Sequence, residues 1–189
     1  MGTRGFIGVK IDGKIKGSYN HFDSYPDGLG QDVVDFCNKV KKDKKWSDFK
    51  EAVKKVELVD ENSHPNSEQI NRYKGYSDCG VGSQSLEDWY CLLRDVQGIA
   101  MFEETLNSVL RHWIDGINFL KDSLFCEYAY IVNVDDMTLE FYEGFNQKPD
   151  KNSPLPFEQV CSREYYPVLF KGSCPLNKIP ENFEKEFYG

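Results

Sequence analysis

The 189-residue sequence lacks any long apolar run. No stretch approaches the roughly 18 consecutive apolar residues that a membrane-spanning helix needs, so we expect no membrane segment. The first residues also lack the hydrophobic region of a signal peptide, because Lys10, Lys14 and Lys16 interrupt the apolar positions there. We therefore expect an unanchored protein with a cytoplasmic location.

Regular metal-ligand spacing is absent as well. The six cysteines form no Cys-x-x-Cys pair, and the three histidines lie far from every cysteine in the sequence. Zinc sites normally show such spacings, so we expect neither a metal ion nor another cofactor. Disulfide frameworks are typical of small secreted chains with densely spaced cysteines, which this chain is not. We predict that all six cysteines are reduced.

The chain has fewer basic than acidic residues. The chain has 23 Lys and Arg residues against 31 Asp and Glu, a formal net charge of −8. Binding to duplex nucleic acid depends on neutralising phosphates with basic side chains, so we do not expect such a partner. The lysine-rich run at 39–45 is interpreted as a solvated helix end, where cations are favourable. The acidic surface leaves a protein-interaction module open, and the oligomeric state is not indicated.

Apolar and aromatic residues are plentiful enough for a folded core, at 40% and 14% of the chain. The length fits a single domain, and we predict one domain over residues 1–189. Residues 58–85 are polar and predict a long loop with one helical turn near 67–74. The prolines of residues 145–164 predict a surface excursion.

Two β-hairpins frame the chain. Alternating apolar residues over 5–22 surround an Asp12-Gly13 pair that is typical of a two-residue turn. Residues 127–143 show the same alternation, and a further strand is predicted at 165–171. Helices are predicted at 31–42, 46–56, 86–96 and about 100–120. The fold class is therefore α+β, an antiparallel or mixed sheet built from N- and C-terminal hairpins and covered by central helices.

The register of the first hairpin predicts a group of polar side chains at its open end. A two-residue turn places Phe6 opposite Tyr19 and Arg4 opposite His21. Because side chains alternate between faces, these four residues share one face, and Asp23 joins them if the strand continues. A guanidinium, an imidazole and a carboxylate would then meet.

The turn that follows adds further candidates for a ligand site. It brings Ser24 and Tyr25 close, while Gly28 and Gly30 allow close backbone approach before a helix N-terminus that favours anions. The eight candidate ligand-binding residues are therefore Arg4, Tyr19, His21, Asp23, Ser24, Tyr25, Gly28 and Gly30.

The chemistry of these residues suits a small anionic molecule. Arg4 would bind a carboxylate or phosphate, His21 would move protons near neutral pH, and Asp23 would fix the tautomer of His21. The alternative is purely structural: Asp23 caps a turn and His21 is hydrogen-bonded at the sheet edge. The candidates for a catalytic role are His21, Asp23 and Thr3.

Three segments carry a family resemblance. Residues 1–5 (MGTRG), 19–30 (YNHFDSYPDGLG) and 126–135 (CEYAYIVNVD) resemble a family of bacterial, phage and fungal proteins that begin MGTR and contain a YNHxDSYPxGLG block. Residues 88–94 also fit its pattern, so the resemblance covers most of the chain. The resemblance implies no particular activity. It implies a location in the bacterial or host-cell cytosol. It also implies a phage or bacterial accessory role, such as an anti-defence protein that sequesters or processes a nucleotide-like signal.

A looser likeness is to the N-terminal-nucleophile hydrolases, which open with a processed nucleophile, a strand, a turn and a second strand. This chain departs from them because Gly2 follows Met1, and Thr3 becomes N-terminal only if Gly2 is removed too. Their mechanism needs a free α-amine beside the hydroxyl. The likeness implies a sandwich-type α+β fold and an amide-bond hydrolase or transferase activity.

The sequence thus leaves three functions open. The first is a protein that binds a small, anionic or nucleotide-like molecule at the mouth of the N-terminal hairpin. The second is the N-terminal-nucleophile enzyme, and the third is the acidic protein-interaction module.

Overall fold

A computed structural model describes residues 2–189, and its central feature is a mixed five-stranded sheet. In chain order, the strands of the described residues are β1 (Gly5–Ile11), β2 (Lys14–Asn20), β3 (Glu57–Val59), β4 (His112–Ile114), β5 (Tyr128–Asn133), β6 (Thr138–Glu143) and β7 (Leu169–Pro175). The sheet has the order β2-β1-β5-β6-β7, in which β1 and β5 are parallel and the other neighbours antiparallel. The predicted α+β class with a mixed sheet is confirmed.

Helices fill the connections between the strands. Within residues 2–189, the α-helices are α1 (Gln31–Lys42), α2 (Trp46–Lys54), α3 (Ser67–Tyr73), α4 (Trp89–Leu92), α5 (Ile99–Leu106) and α6 (Phe183–Phe187). Short 3₁₀ turns follow α3 at Lys74–Tyr76, follow α4 at Arg94–Val96, and occur at Ile117–Lys121. No helix among these residues is both long and apolar enough to cross a membrane.

The first hairpin has the predicted register. Phe6 pairs with Tyr19, and the turn residues Asp12 and Gly13 have φ values of 50° and 73°, as a two-residue hairpin turn requires. The Asp135 carboxylate accepts both of their backbone N–H groups at 2.9 Å. Because Asp135 belongs to the turn between β5 and β6, it joins the two hairpin ends.

The two faces of the sheet pack against different layers. One face lies under α1, α2 and α5, and its buried strand residues include Ile7, Val9, Tyr130, Val132 and Phe141. The other face is covered by the segment that contains Leu120 and by the C-terminal loops, and its strand residues include Phe6, Ala129, Ile131 and Tyr142. Tyr19 lies on this second face because it pairs with Phe6.

The helix predicted at about 100–120 is wrong in its second half. Helix α5 ends at Leu106, Ser108 takes a left-handed φ of 62°, and the chain continues as the strand β4. Strand β4 pairs in parallel with β3, at the start of the predicted 58–85 loop. Both strands are three residues long and depend on each other for hydrogen bonds, so neither has a strong signal in the local sequence.

Other predicted boundaries shift by smaller amounts. Helix α3 confirms the helical turn near 67–74 and begins with a capping box between Asn66 and Gln69. The helix predicted at 86–96 is reduced to α4 and the turn after it, and Gly98 with φ 65° separates it from α5. The strand predicted at 165–171 starts four residues later, as β7 at Leu169–Pro175. All of residues 145–164 are described, and they contain no helix or strand beyond one bridge that starts at Ser162.

Each cysteine of the chain is free in this structure. Thiol titration of the denatured, unreduced protein is therefore expected to find six reactive thiols per chain. Three of the four buried cysteines, Cys37, Cys126 and Cys174, pack in the hydrophobic clusters as small apolar side chains. A titre of four or fewer before any oxidant is added would contradict both the reduced state and the cytoplasmic location that we predict.

Candidate functional site

A cleft of about 810 Å³ lies where the outer edge of β2 meets the β3–β4 pair. The polar grooves beside α2 and α5 are less than half that size, at about 340 and 310 Å³. The Gly116 N–H donates to the Gly17 carbonyl at 2.9 Å, which attaches the chain after β4 to β2. A Cβ at Gly116 would lie 2.7 Å from the Tyr19 nitrogen, so only glycine lets the chain cross β2 so closely.

Aromatic rings form much of the cleft wall. Tyr19 meets Phe119 edge to face with ring centroids 5.0 Å apart, and Tyr90 lies 6.4 Å from Tyr19 on the other side. All three residues line the cleft. Such rings offer flat apolar surface for a planar ligand group.

A hydrogen-bonded tyrosine–histidine pair lies in this wall. The Tyr19 hydroxyl is 2.6 Å from Nδ1 of His21. Burial and the neighbouring Tyr90 raise the pKa of Tyr19 to about 12, so its hydroxyl keeps its proton at neutral pH. Burial and the charges of Arg94 and Arg4 lower the pKa of His21, so the imidazole is neutral there. With the hydroxyl as donor, Nδ1 accepts and Nε2 carries the ring hydrogen.

Two arginines lie next to the cleft, just outside the residues that line it, and form what we call its cationic side. Arg94 lies over the rings of Phe22 and Tyr90, 5.1 and 5.3 Å from their centroids, and donates to the Gln97 side chain at 2.7 Å. Arg4 lies 4.6 Å over the Phe125 ring. Besides its burial, the charges of both guanidinium groups lower the pKa of His21, so they act on the tyrosine–histidine pair.

The loops after β3 and β4 place negative charge on the other side of the cleft. Asp60, Glu61 and Asp115 all line it and are exposed. The Asp60 carboxylate is held by the backbone N–H of Asn62 at 2.8 Å, and that of Asp115 accepts from the Ile117 N–H at 3.1 Å. The cleft therefore has an anionic side among its lining residues and a cationic side just outside them.

The chemistry of this cleft has to be inferred from its own residues. Comparisons with protein-family models, curated proteins and solved structures give no match to this chain. Over residues 2–189, no three or more His, Cys, Asp or Glu side chains are grouped so that they could hold a metal ion. The aromatic wall, the tyrosine–histidine pair and the two charged sides are the features that a ligand has to match.

Of the residues predicted from the sequence, Tyr19 and His21 line the cleft and are in contact, and the charge of Arg4 acts on the pKa of both. Ser24 instead anchors the turn: it is 0% exposed, and its hydroxyl accepts the Asn20 side-chain N–H at 2.8 Å. Its N–H donates to the Thr3 carbonyl at 3.1 Å, so Thr3 belongs to the same buried anchor. Neither residue lines the cleft.

The predicted contact between Asp23 and His21 does not form among the described residues. Asp23 takes a left-handed φ of 51°, so the chain turns at this residue. The alternation of the strand ends there, and the Asp23 carboxylate is not placed beside the imidazole. Its carbonyl accepts the Leu29 N–H at 2.8 Å, and its side chain is exposed. The residue that orients His21 is Tyr19, which corrects the prediction that Asp23 fixes the tautomer.

The predicted anion site at Gly28 and Gly30 is not formed either. The N–H groups of both glycines donate to the Tyr25 carbonyl at 3.1 Å, so they are not free for a ligand. Gly30 packs against the ring of Tyr130, where a Cβ would lie 2.9 Å from the hydroxyl. The Tyr25 ring packs near Tyr128, which belongs to the other face of the sheet from the cleft.

The sequence reasoning missed the walls contributed by distant segments. Tyr90 lies in the helix predicted at 86–96, and Phe119 and the Asp115-Gly116 pair lie in the helix predicted at about 100–120. The Asp-Gly pair was the one signal that could have corrected this, because it is a typical turn dipeptide and breaks a helix.

The two shifted histidines predict how stability depends on pH. The pKa of His112 is lowered, like that of His21, chiefly by its burial. The unfolded chain therefore takes up protons first as pH falls. Stability should be complete above the ordinary histidine pKa of 6.5 and should decline through that value toward the lower folded pKa values. Thermal melts from about pH 8 to pH 5.5, above the ordinary carboxylate range, should show a falling Tm.

Single variants separate the two contributions. His112 is hydrogen-bonded to the Tyr73 hydroxyl at 2.7 Å and stacks on Trp89, so His112→Gln should lower stability and flatten the pH dependence together. His21→Gln should flatten part of the pH dependence. A Tm that stays constant or rises on acidification over this range would contradict the assignment.

Proposed function

We propose that the chain binds a small nucleotide-like molecule in the cleft beside β2. A planar ring would lie against the aromatic wall of Tyr19, Tyr90 and Phe119. An anionic group such as a phosphate would lie toward Arg4 and Arg94. The observation that carries the proposal is a cleft of about 810 Å³ that has a ring-lined wall and an acidic side, with Arg94 in contact with its lining residues Tyr90 and Gln97.

Size supports this ligand class. Small-molecule sites have volumes of about 300–1,000 Å³ and combine apolar walls with a few placed polar groups. The cleft has that volume and that mixture, with Gln97 and Asn118 adding amide groups to its lining. Larger partners, such as a folded domain, need a broad surface rather than a cleft.

The cationic side supports an anionic group on the ligand. Guanidinium groups bind phosphates and carboxylates through charge-assisted, often paired hydrogen bonds. His21 is neutral at pH 7 and offers Nε2 as a further donor. Arg94 is attached to the cleft lining through Gln97 and stacks on Tyr90, which restricts its position.

The acidic side supports a second polar group, distant from the anionic one. Carboxylates accept hydrogen bonds from hydroxyl and amino groups. Asp60 and Asp115 are held by backbone N–H groups, which fixes their position before a ligand arrives. A nucleoside phosphate carries a ring, sugar hydroxyls and a phosphate, which are the three groups that these surfaces complement.

Mass spectrometry of small molecules released from the purified protein is the first test, and calorimetric titration is the second. Nucleoside 5′-phosphates should bind more tightly than the free nucleosides or inorganic phosphate. Arg94→Gln should weaken binding about 10- to 100-fold, because it removes a charge-assisted contact. Tyr19→Phe removes only the hydroxyl that orients His21 and should weaken binding up to about tenfold.

Matched variants outside the cleft control for general damage. Tyr25→Phe deletes a hydroxyl from an exposed tyrosine that lies away from the cleft, and it should bind like the parent. If Tyr25→Phe weakens binding as much as Tyr19→Phe, the cleft is not the site. If the protein carries no ligand and none of these molecules binds, the proposal fails.

The two other functions predicted from the sequence stay predictions. Thr3 is buried and away from the cleft, so the N-terminal-nucleophile alternative gains no support from this site. Intact mass tests it directly, because loss of Met1 alone leaves Thr3 without a free α-amine. An accessory role against a nucleotide-like signal would follow from the same binding measurements.

A further inference from the structure

Two cysteines that are 12 positions apart meet behind the wall of the cleft. The sulfur atoms of Cys79 and Cys91 are 3.3 Å apart. Cys79 is exposed in a glycine-rich loop, whereas Cys91 is buried in α4. The backbone is also connected at this point, because the Asp78 N–H donates to the Cys91 carbonyl at 3.0 Å.

We propose that Cys79 and Cys91 are a redox site that closes to a reversible disulfide when a peroxide reaches the exposed thiol. The Cys79 thiol loses its proton, its thiolate attacks one peroxide oxygen, and the O–O bond breaks. Cys79 becomes a sulfenic acid, and the departing hydroxide takes up the released proton and leaves as water. The Cys91 sulfur then attacks the Cys79 sulfur, the S–O bond breaks, and a second water leaves with the Cys91 proton. Two thiols are oxidised and one hydrogen peroxide is reduced to two waters.

The order of the two steps follows from accessibility. Burial raises the pKa of Cys91 to about 11, so its thiol is protonated and shielded from solvent at neutral pH. Cys79 is therefore the thiol that meets the oxidant first. Cys91 is already in contact with it and acts as the resolving thiol.

Little movement is needed to close the bond. A disulfide has an S–S distance of about 2.05 Å, so the two sulfurs must approach by little more than 1 Å. The loop of Cys79 is exposed and includes Gly80 and Gly82, so we expect it to move more readily than the buried Cys91 of α4. Helix α4 can stay in place while the loop moves.

The cross-link would act on the wall of the cleft. Cys91 follows Tyr90, which lines the cleft. The loop of Cys79 is already attached to α4, because the Asp88 carboxylate accepts the N–H groups of Ser83 and Tyr90 at 2.7 and 2.9 Å. A disulfide adds a covalent connection at the other end of this loop. We therefore expect oxidation to restrict residues 78–91 as a unit.

The full chain, treated with hydrogen peroxide and then alkylated, tests the proposal by non-reducing peptide mass spectrometry. Two of the six thiols should disappear, and one cross-linked peptide should join Cys79 to Cys91. Glutathione should restore both thiols. The oxidised form should melt roughly 5–10 °C higher, because the bond closes a loop in the unfolded chain. Backbone hydrogen exchange over 78–91 should slow.

Cys79→Ser is the decisive variant, because it changes an exposed residue and should fold normally. It should lose the cross-link, the Tm rise and the slower exchange together. Cys161→Ser is its matched control, since Cys161 is also exposed but lies in the 145–164 excursion, and it should keep all three. These readouts use no ligand, so they are independent of the proposed function.

Three results would overturn the proposal. Peroxide could oxidise Cys79 to a sulfinic acid without a cross-link, or join it to another chain. The disulfide could be present before oxidation and resist glutathione, which would make it a structural bond. Cys161→Ser could abolish the cross-link as completely as Cys79→Ser does.

Discussion

Replacing Trp113 by alanine should lower the free energy of unfolding by about 3–5 kcal/mol, the usual cost of deleting a large buried ring. Trp113 is 1% exposed and stacks on Phe102 with ring centroids 5.8 Å apart. Its indole N–H donates to the Thr105 hydroxyl at 2.9 Å. The change therefore creates a cavity and also leaves a buried hydroxyl with one hydrogen bond fewer.

The same substitution should damage the cleft, because Trp113 is the central residue of β4. It holds the β3–β4 pair against α5, and the loops after both strands carry the acidic side of the site. Urea denaturation followed by circular dichroism measures the loss of stability, and ligand titration measures the loss of the site.

Two variants make the result specific. Trp113→Phe keeps most of the apolar volume but loses the hydrogen bond, so its cost should be clearly smaller than that of alanine. Trp46→Ala removes an indole that is only partly buried at the start of α2, and it should cost less again. Equal losses for Trp113→Ala and Trp46→Ala would contradict this account of β4.

Local sequence signals were sufficient for the first hairpin and for α1. The Asp12-Gly13 turn, the alternation of β1 and β2 and the apolar stripe of α1 all act within a few residues. Their register and bounds could therefore be predicted. Strands β3 and β4 could not, because three-residue strands form only by pairing with each other across more than 50 positions.

The residues of the candidate site also differ in whether local sequence could predict them. Hairpin register predicted that Tyr19 and His21 share a face with Arg4. In the structure Tyr19 and His21 are in contact, and Arg4 lies near enough for its charge to act on both. The remaining walls come from Tyr90 and Phe119, which reach the site only through tertiary packing. A single left-handed residue, Asp23, was enough to change the partner of the histidine, since alternation ends where the backbone turns.

Ser24, in the turn after β2, was predicted to bind a ligand, but it forms its hydrogen bonds within the protein. The Ser24 carbonyl accepts the hydroxyl of Tyr130 at 3.1 Å, and its own hydroxyl accepts a hydrogen bond from Asn20. Sequence alone cannot separate these roles, because a serine that anchors a turn and one that binds a ligand have the same local pattern.

Tyr130→Ala should therefore cost about 3–5 kcal/mol of unfolding free energy. The ring is 0% exposed in β5, meets Phe141 edge to face, and fills the space that Gly30 leaves open. Removing it opens a cavity between the sheet and the turn before α1. Chemical denaturation measures the loss of unfolding free energy, and Tyr130→Phe is the variant to compare with Tyr130→Ala.

Tyr130→Phe isolates the anchoring hydrogen bond. It keeps the ring in the core and should cost about 1–3 kcal/mol, because the Ser24 carbonyl becomes a buried acceptor without its donor. Hydrogen exchange should accelerate over residues 21–30 and stay unchanged in α2, which the hydroxyl does not touch. If the phenylalanine variant were as stable as the parent with unchanged exchange in this turn, the turn would be held by Asn20 and the backbone alone. The turn begins at His21, so the position of His21 would then not depend on the Tyr130 hydroxyl.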